Sequence, residues 1–124
     1  MSAPSRGAVV LVPFRFTNEG PIKHRPAVVL SVDAFQRSRA EVIVAALTSN
    51  LRRSPLLGDH LLQDWQGAGL PKPSRATAIL RTLRHDMILV ELGTMPASDL
   101  ADMDRAIASV LGLDSTAAST TNRT

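Results

Sequence analysis

The chain has 124 residues, 44% of them hydrophobic, no cysteine, and a net charge of +3. That is enough apolar chain for one domain with a packed core, and it excludes a disordered chain, a disulfide scaffold and thiol chemistry. No run approaches the roughly 20 apolar residues of a membrane span, and the polar start lacks the apolar stretch of a signal peptide. A cytoplasmic protein without membrane attachment is expected.

Residues 7–16 (GAVVLVPFRF) form the first predicted strand, with Pro13 placed at its end or edge because it cannot donate to a ladder. Asn18, Glu19, Gly20 and Pro21 make a turn cluster, so residues 17–23 form the first loop. Residues 23–31 (KHRPAVVLS) follow, a cationic cluster running through Pro26 into the apolar strand 27–30. Pro26 fixes its own φ and holds Arg25 extended, which sets a guanidinium at the mouth of a rigid strand. That placement suits recognition of an anion such as phosphate. The same cluster also suits an edge strand kept charged for solubility.

Asp33 is a candidate cap for a short helical turn through Arg39, with Phe35 as its core anchor. Residues 41–47 (EVIVAAL) are a β-branched strand that ends in Thr48, Ser49 and Asn50. Arg52 and Arg53 fall in an exposed loop, and 60–62 reads as a short strand. A single turn around Trp65 leads into a stiff Pro-Lys-Pro loop. Residues 77–83 and 87–92 are two more strands joined by a tight turn at 84–86, and Gly93 breaks the pattern. Ser98 is a candidate N-cap for the long helix, with Leu100, Met103, Ile107, Val110 and Leu111 on one face and Gly112 at its stop. Residues 1–113 form one domain, and 114–124 is expected to be a disordered tail. Short strands, loops rich in Pro and Gly, and one C-terminal helix point to a mainly β fold: a small, strongly bent antiparallel barrel plugged by the helix.

Charge is distributed unevenly. Residues 1–85 hold twelve Lys/Arg against five Asp/Glu, and residues 86–124 hold two against six. A basic body with an acidic end suggests a surface that faces a polyanion. His24, His60 and His85 share no ligand spacing, and the aspartates of the helix read as solvated, so no metal site and no cofactor are expected. A serine elbow and a glycine-rich phosphate loop are both absent. Phe14, Phe16, Phe35 and Trp65 are too few for a platform of stacked bases and read as core. What is left is arginine, hydroxyl and backbone chemistry acting on phosphate.

The segments GAVVLVPFRFTN, KHRPAVVLS, VAALTSNLR, LLQDWQGAGLPKPS and LGTMPASDLADMDRAIASVLGL, in this order, resemble the PemK/MazF family of toxin endoribonucleases. The resemblance implies an SH3-like barrel, a homodimer, cleavage of single-stranded RNA without a metal, and neutralisation by a small antitoxin protein. By position it places the catalytic arginine at Arg25 and the catalytic threonine at Thr48. Thr17, Lys23, His24, Ser49, Asn50, Arg52, Arg75 and Thr77 are the accompanying candidates for substrate binding. Strand alternation puts His24 on the face opposite Arg25. The chain departs from the family pattern at Ala8, where an acidic residue is usual, and at Thr77, where an arginine is usual; Arg75 lies two residues away. A second reading keeps the barrel as a nucleic-acid- or peptide-binding module without cleavage.

Overall fold

The computed structural model describes residues 4–15 and 20–113. Phe16, Thr17, Asn18, Glu19 and the segment 114–124 lie outside the described residues. In chain order the elements are β1 (Ala8–Phe14), β2 (Lys23–Val29), α1 (Asp33–Arg39), β3 (Glu41–Thr48), β4 (His60–Leu61), β5 (Arg75–Arg84), a 3₁₀ turn (His85–Met87), β6 (Val90–Thr94) and α2 (Ala97–Leu111). Among the described residues the six strands form one antiparallel sheet in the order β4-β5-β3-β2-β1-β6.

The sheet curls. In a flat sheet β1 and β5 would stand about 14 Å apart, with β2 and β3 between them. Instead Arg81 of β5 donates through Nη2 to the Arg15 carbonyl at 3.2 Å and lies over the Phe14 ring, 5.1 Å from its centroid. Register shifts at Val9/Val10 and between Ala45 and Leu47 add the local bend that such closure needs. The inside of the curl is filled by Ala8, Val10, Val12, Phe14, Ala27, Val29, Val42, Val44 and Ala46. Alternation turns Val9, Val28, Ala45 and Leu47 to the other face, where Met103 and Ile107 of α2 cover them.

Several local expectations need correcting. The strand after the central loop starts at Lys23, so Pro26 lies inside it; its missing N–H is tolerated because the β2–β3 ladder begins only at Ala27↔Ala46. Residues 87–92 are not one strand, since Met87 closes the 3₁₀ turn and β6 runs from Val90 through Gly93 to Thr94. β5 and β6 are not hairpin partners, because β6 pairs with β1. Asp33 and Ser98 lie within their helices, whose N-cap positions are Val32 and Pro96. Gln36, not Phe35, is the buried residue of α1. Val110 and Leu111 are exposed, so the buried face of α2 runs through Asp99, Met103 and Ile107. Gly112 ends α2 in the left-handed region at φ 74°, as its position predicts. No helix among the described residues is long and apolar enough to cross a membrane.

Candidate functional site

The β2–β3 register decides the site. Ala27 pairs with Ala46 at the last rung of the antiparallel ladder, and Arg25 and Thr48 lie two residues further out on their strands. Both belong to the face of Ala27 and Ala46, at the point where Pro26 ends the ladder and the strands part. A cleft of about 210 Å³ opens there, lined by Arg25, Pro26, Leu47, Thr48, Ser49, Leu70, Pro71, Lys72 and Ser74. Among the described residues its polar members are two cations and three hydroxyls, without a carboxylate or imidazole. Its walls are proline and leucine. Such a set favours an anion and suits a phosphodiester.

Thr48 is held ready as a donor. Its Oγ1 accepts from Asn50 N at 3.1 Å, and Asn50 Oδ1 accepts from Arg52 N at 3.2 Å. Two successive side-chain turns thus shape the strand end, and they leave the Thr48 hydroxyl proton to point elsewhere.

The remaining candidates divide into three groups. Ser49 lines the cleft, and Lys23, His24, Asn50 and Arg52 are exposed around its end of the sheet. His24 sits opposite Pro13, one residue out of phase with Arg25, on the other face of β2. Arg75 and Thr77 are buried, 6% and 2% exposed. Arg75 Nη1 donates to the Arg53 carbonyl at 3.1 Å, while Thr77 Oγ1 donates to the Ala46 carbonyl at 2.9 Å and accepts from Ile79 N. Thr77 therefore ties β5 to β3, and Arg75 ties β5 to the loop after β3. Lys72 and Ser74 were not among the sequence candidates, yet both line it. The Pro71-Lys72-Pro73 stretch, a cation stiffened on both sides, was the available signal.

A second polar group joins α2 to the turn after β4. His60, Asp99 and Asp102 bring ligand-type atoms within 4.8 Å of one another. Asp99, expected to be solvated, is fully buried. Its Oδ1 accepts from His60 Nε2 at 2.8 Å and Gln63 N at 2.9 Å, and its Oδ2 from Asp64 N at 3.0 Å. Burial by itself would raise the Asp99 pKa, but the Gln63, His60 and Asp64 hydrogen bonds outweigh it and hold the carboxyl below its ordinary value. Asp102 is engaged by Arg105. With three N–H donors on one carboxylate, this group works as a clip between α2 and the sheet edge.

Comparison with known proteins identifies the family. Residues 5–111 match the family described as PemK-like, MazF-like toxin of type II toxin-antitoxin system. Endoribonuclease MazF2 of Mycobacterium bovis is 35% identical over 96 residues, covering 75% of this chain and 82% of that protein. Among solved structures, an endoribonuclease in complex with its cognate antitoxin from a mycobacterial species superposes with a TM-score of 0.71 at 24% identity, covering 90% of this chain and 97% of the other. A MazE-MazF crystal structure from Deinococcus radiodurans superposes with a TM-score of 0.69 at 25% identity, covering 90% and 98%. The chain belongs to the PemK/MazF family of type II toxin-antitoxin toxins.

Proposed function

We propose that this protein is a toxin endoribonuclease that cleaves single-stranded mRNA at the Arg25–Thr48 cleft, using the 2′-hydroxyl of the RNA as nucleophile and no metal. The observation that carries this reading is that Arg25 and Thr48 line one cleft, whose lining among the described residues offers cations and hydroxyls but no carboxylate. The described lining supplies cations and hydroxyls, which suit the protein's own donors to the task of charge stabilisation. The family assignment supports ribonuclease activity in general. It also supports a small antitoxin protein as partner.

The mechanism follows from what the groups can do. The 2′-hydroxyl must attack phosphorus in line with the leaving 5′-oxygen, and Pro26, Leu47 and Leu70 give the ribose a stiff wall against which to align. The Arg25 fork matches two phosphoryl oxygens and stabilises the charge they gain. The Thr48 hydroxyl donates a hydrogen bond to the same oxygens, with Ser49 beside it. Lys72 adds a point charge at the lip. The O2′–P bond forms as the P–O5′ bond breaks. The 2′-hydroxyl proton passes to water and water returns one to the 5′-oxygen, giving a 2′,3′-cyclic phosphate and a 5′-hydroxyl. The curled sheet corresponds to an SH3-like barrel, and the protein acts in the cytoplasm as a homodimer.

The test is incubation of pure protein with a fluorescent oligoribonucleotide in EDTA, with end-group analysis of the products. Cleavage to cyclic phosphate is expected. Arg25→Ala and Thr48→Ala should each lose about 10²–10³ in rate while keeping the circular-dichroism spectrum of the parent. RNA with a 2′-deoxy sugar at the cut position should resist completely. Cleavage of that substrate, or full activity of Arg25→Ala, would overturn the mechanism. Binding without cleavage would instead identify a non-catalytic nucleic-acid-binding member of the family.

A further inference from the structure

We propose that Asp59 is a positioning residue for this cleft, acting through Arg75 and Arg53 on the strand end that carries Thr48. The proposal rests on the RNA-cleaving role of the same site. Asp59 lies in the basic part of the chain, and its side chain is 5% exposed. Its Oδ2 accepts from Arg53 Nη1 at 2.9 Å and from Leu56 N at 2.9 Å, and stands 3.8 Å from Arg75 Nη1. One carboxylate therefore serves two guanidiniums and a backbone amide. Arg75, with its side chain 7% exposed, in turn donates to the Arg53 carbonyl.

This node is the anchor of the loop between β3 and β4. From Thr48 to Arg52 the loop is shaped by two exposed side-chain turns, which water competes for. At Arg53 the chain becomes fixed, by its carbonyl on Arg75 and its guanidinium on Asp59. Arg75 is also the register partner of Thr48 in the β3–β5 ladder, follows the cleft residue Ser74, and is pinned on its other side by Leu61 of β4. Displacing Arg75 thus moves both Thr48 and Ser74. Without the Asp59 charge, a guanidinium remains nearly buried with its counter-ion removed, and it turns toward the next available anion. In the working protein that anion is the RNA phosphate.

The sign of the effect separates positioning from bulk electrostatics. Asp59→Asn keeps an acceptor for Leu56 N and removes one negative charge near a polyanion site. Bulk electrostatics predicts tighter RNA binding and unchanged turnover. Positioning predicts that kcat falls at least tenfold while an RNA blocked by 2′-deoxy at the cut position binds as well as to the parent or better. Asp59→Glu, which restores the charge one methylene further out, should recover part of kcat. Amide hydrogen exchange in residues 49–56 should accelerate in Asp59→Asn, with or without RNA. A kcat within twofold of the parent, or unaltered exchange in 49–56, overturns the proposal. So does a loss of blocked-RNA binding in proportion to activity with no recovery in Asp59→Glu, which would mean lost fold alone. If the parent protein cleaves no RNA, the cleavage reading fails separately and the exchange measurement still decides the role of Asp59.

Discussion

A carboxylic acid carried into a protein interior ordinarily keeps its proton, because the charged form loses its hydration. Asp99 does the opposite, since the N–H groups of Gln63, Asp64 and His60 replace the lost water. Its pKa in the folded protein is lowered. Its contribution to stability is therefore complete above the ordinary aspartate range and is lost as pH falls through the lower folded value. Replacing it by alanine strands two backbone donors, at a cost of about 3 kcal/mol near neutrality. The melting-temperature difference between the parent and Asp99→Ala should be largest near neutral pH and shrink below about pH 4. A difference that stays constant with pH would mean that the carboxylate charge is not what holds the clip. Lys72 makes a contrasting case, an exposed point charge at the cleft lip. Lys72→Ala should weaken RNA binding similarly for all sequences and reduce the salt slope by about one counterion, measured by anisotropy across a salt series.

The turn of residues 64–70 and β6 meet backbone to backbone. A Cβ on Gly69 would stand 2.2 Å from the Leu92 carbonyl oxygen, and the residue has φ +84°. Gly112 has a similar φ of +74° but nothing within 4 Å among the described residues. The two glycines therefore separate the cost of conformation from the cost of contact. Gly112→Ala should lose about 1 kcal/mol, the left-handed penalty alone. Gly69→Ala adds a clash that neither backbone can relieve cheaply, and should lose about 3 kcal/mol. Urea midpoints measure both, and equal losses would show that the turn moves freely off β6. This contact matters for the cleft, because the same turn leads into Leu70, Pro71 and Lys72.

At the scale of the molecule, several large apolar side chains stand exposed. Leu56, Leu57, Leu61, Leu111 and Leu113 are 54–77% exposed. Gly58 lies against Val110 of α2, so the loop and the helix end adjoin. The proposed homodimer gives this surface a place to go. Light scattering at micromolar concentration should give twice the chain mass, and Leu57→Lys with Leu113→Lys should lower it. A monomeric mass for the parent counts against the dimer. RNA affinity should fall steeply with salt, with a slope near −0.7 per phosphate engaged. A flat salt response would remove the basic body of the chain from the binding surface.

Much of this protein follows from local pattern. The β-branched runs became β1, β2, β3 and β5, the apolar spacing and Gly112 bounded α2, and the resemblance of KHRPAVVLS and VAALTSNLR singled out Arg25 and Thr48. Alternation also turned His24 to the face opposite Arg25, as the β1–β2 register has it. These are short-range properties, set by φ/ψ preference and by which side chains share a face. Register and curl are long-range. Which residues share a cleft with Arg25 depends on how β2 meets β3 across the 11 residues between them, and no periodicity carries that. The burial of Asp99 and Arg75, and the arrival of Lys72 and Ser74 beside Thr48, depend on the same packing. A charged residue reads as solvated until a second chain segment brings its partner. For Asp99 that segment is the turn after β4, and for Arg75 it is the loop carrying Arg53 and Asp59. The sequence determined the elements and the chemistry available to them; the tertiary structure decided which charges meet, because a buried charge is stable only where distant N–H groups or counter-ions converge on it.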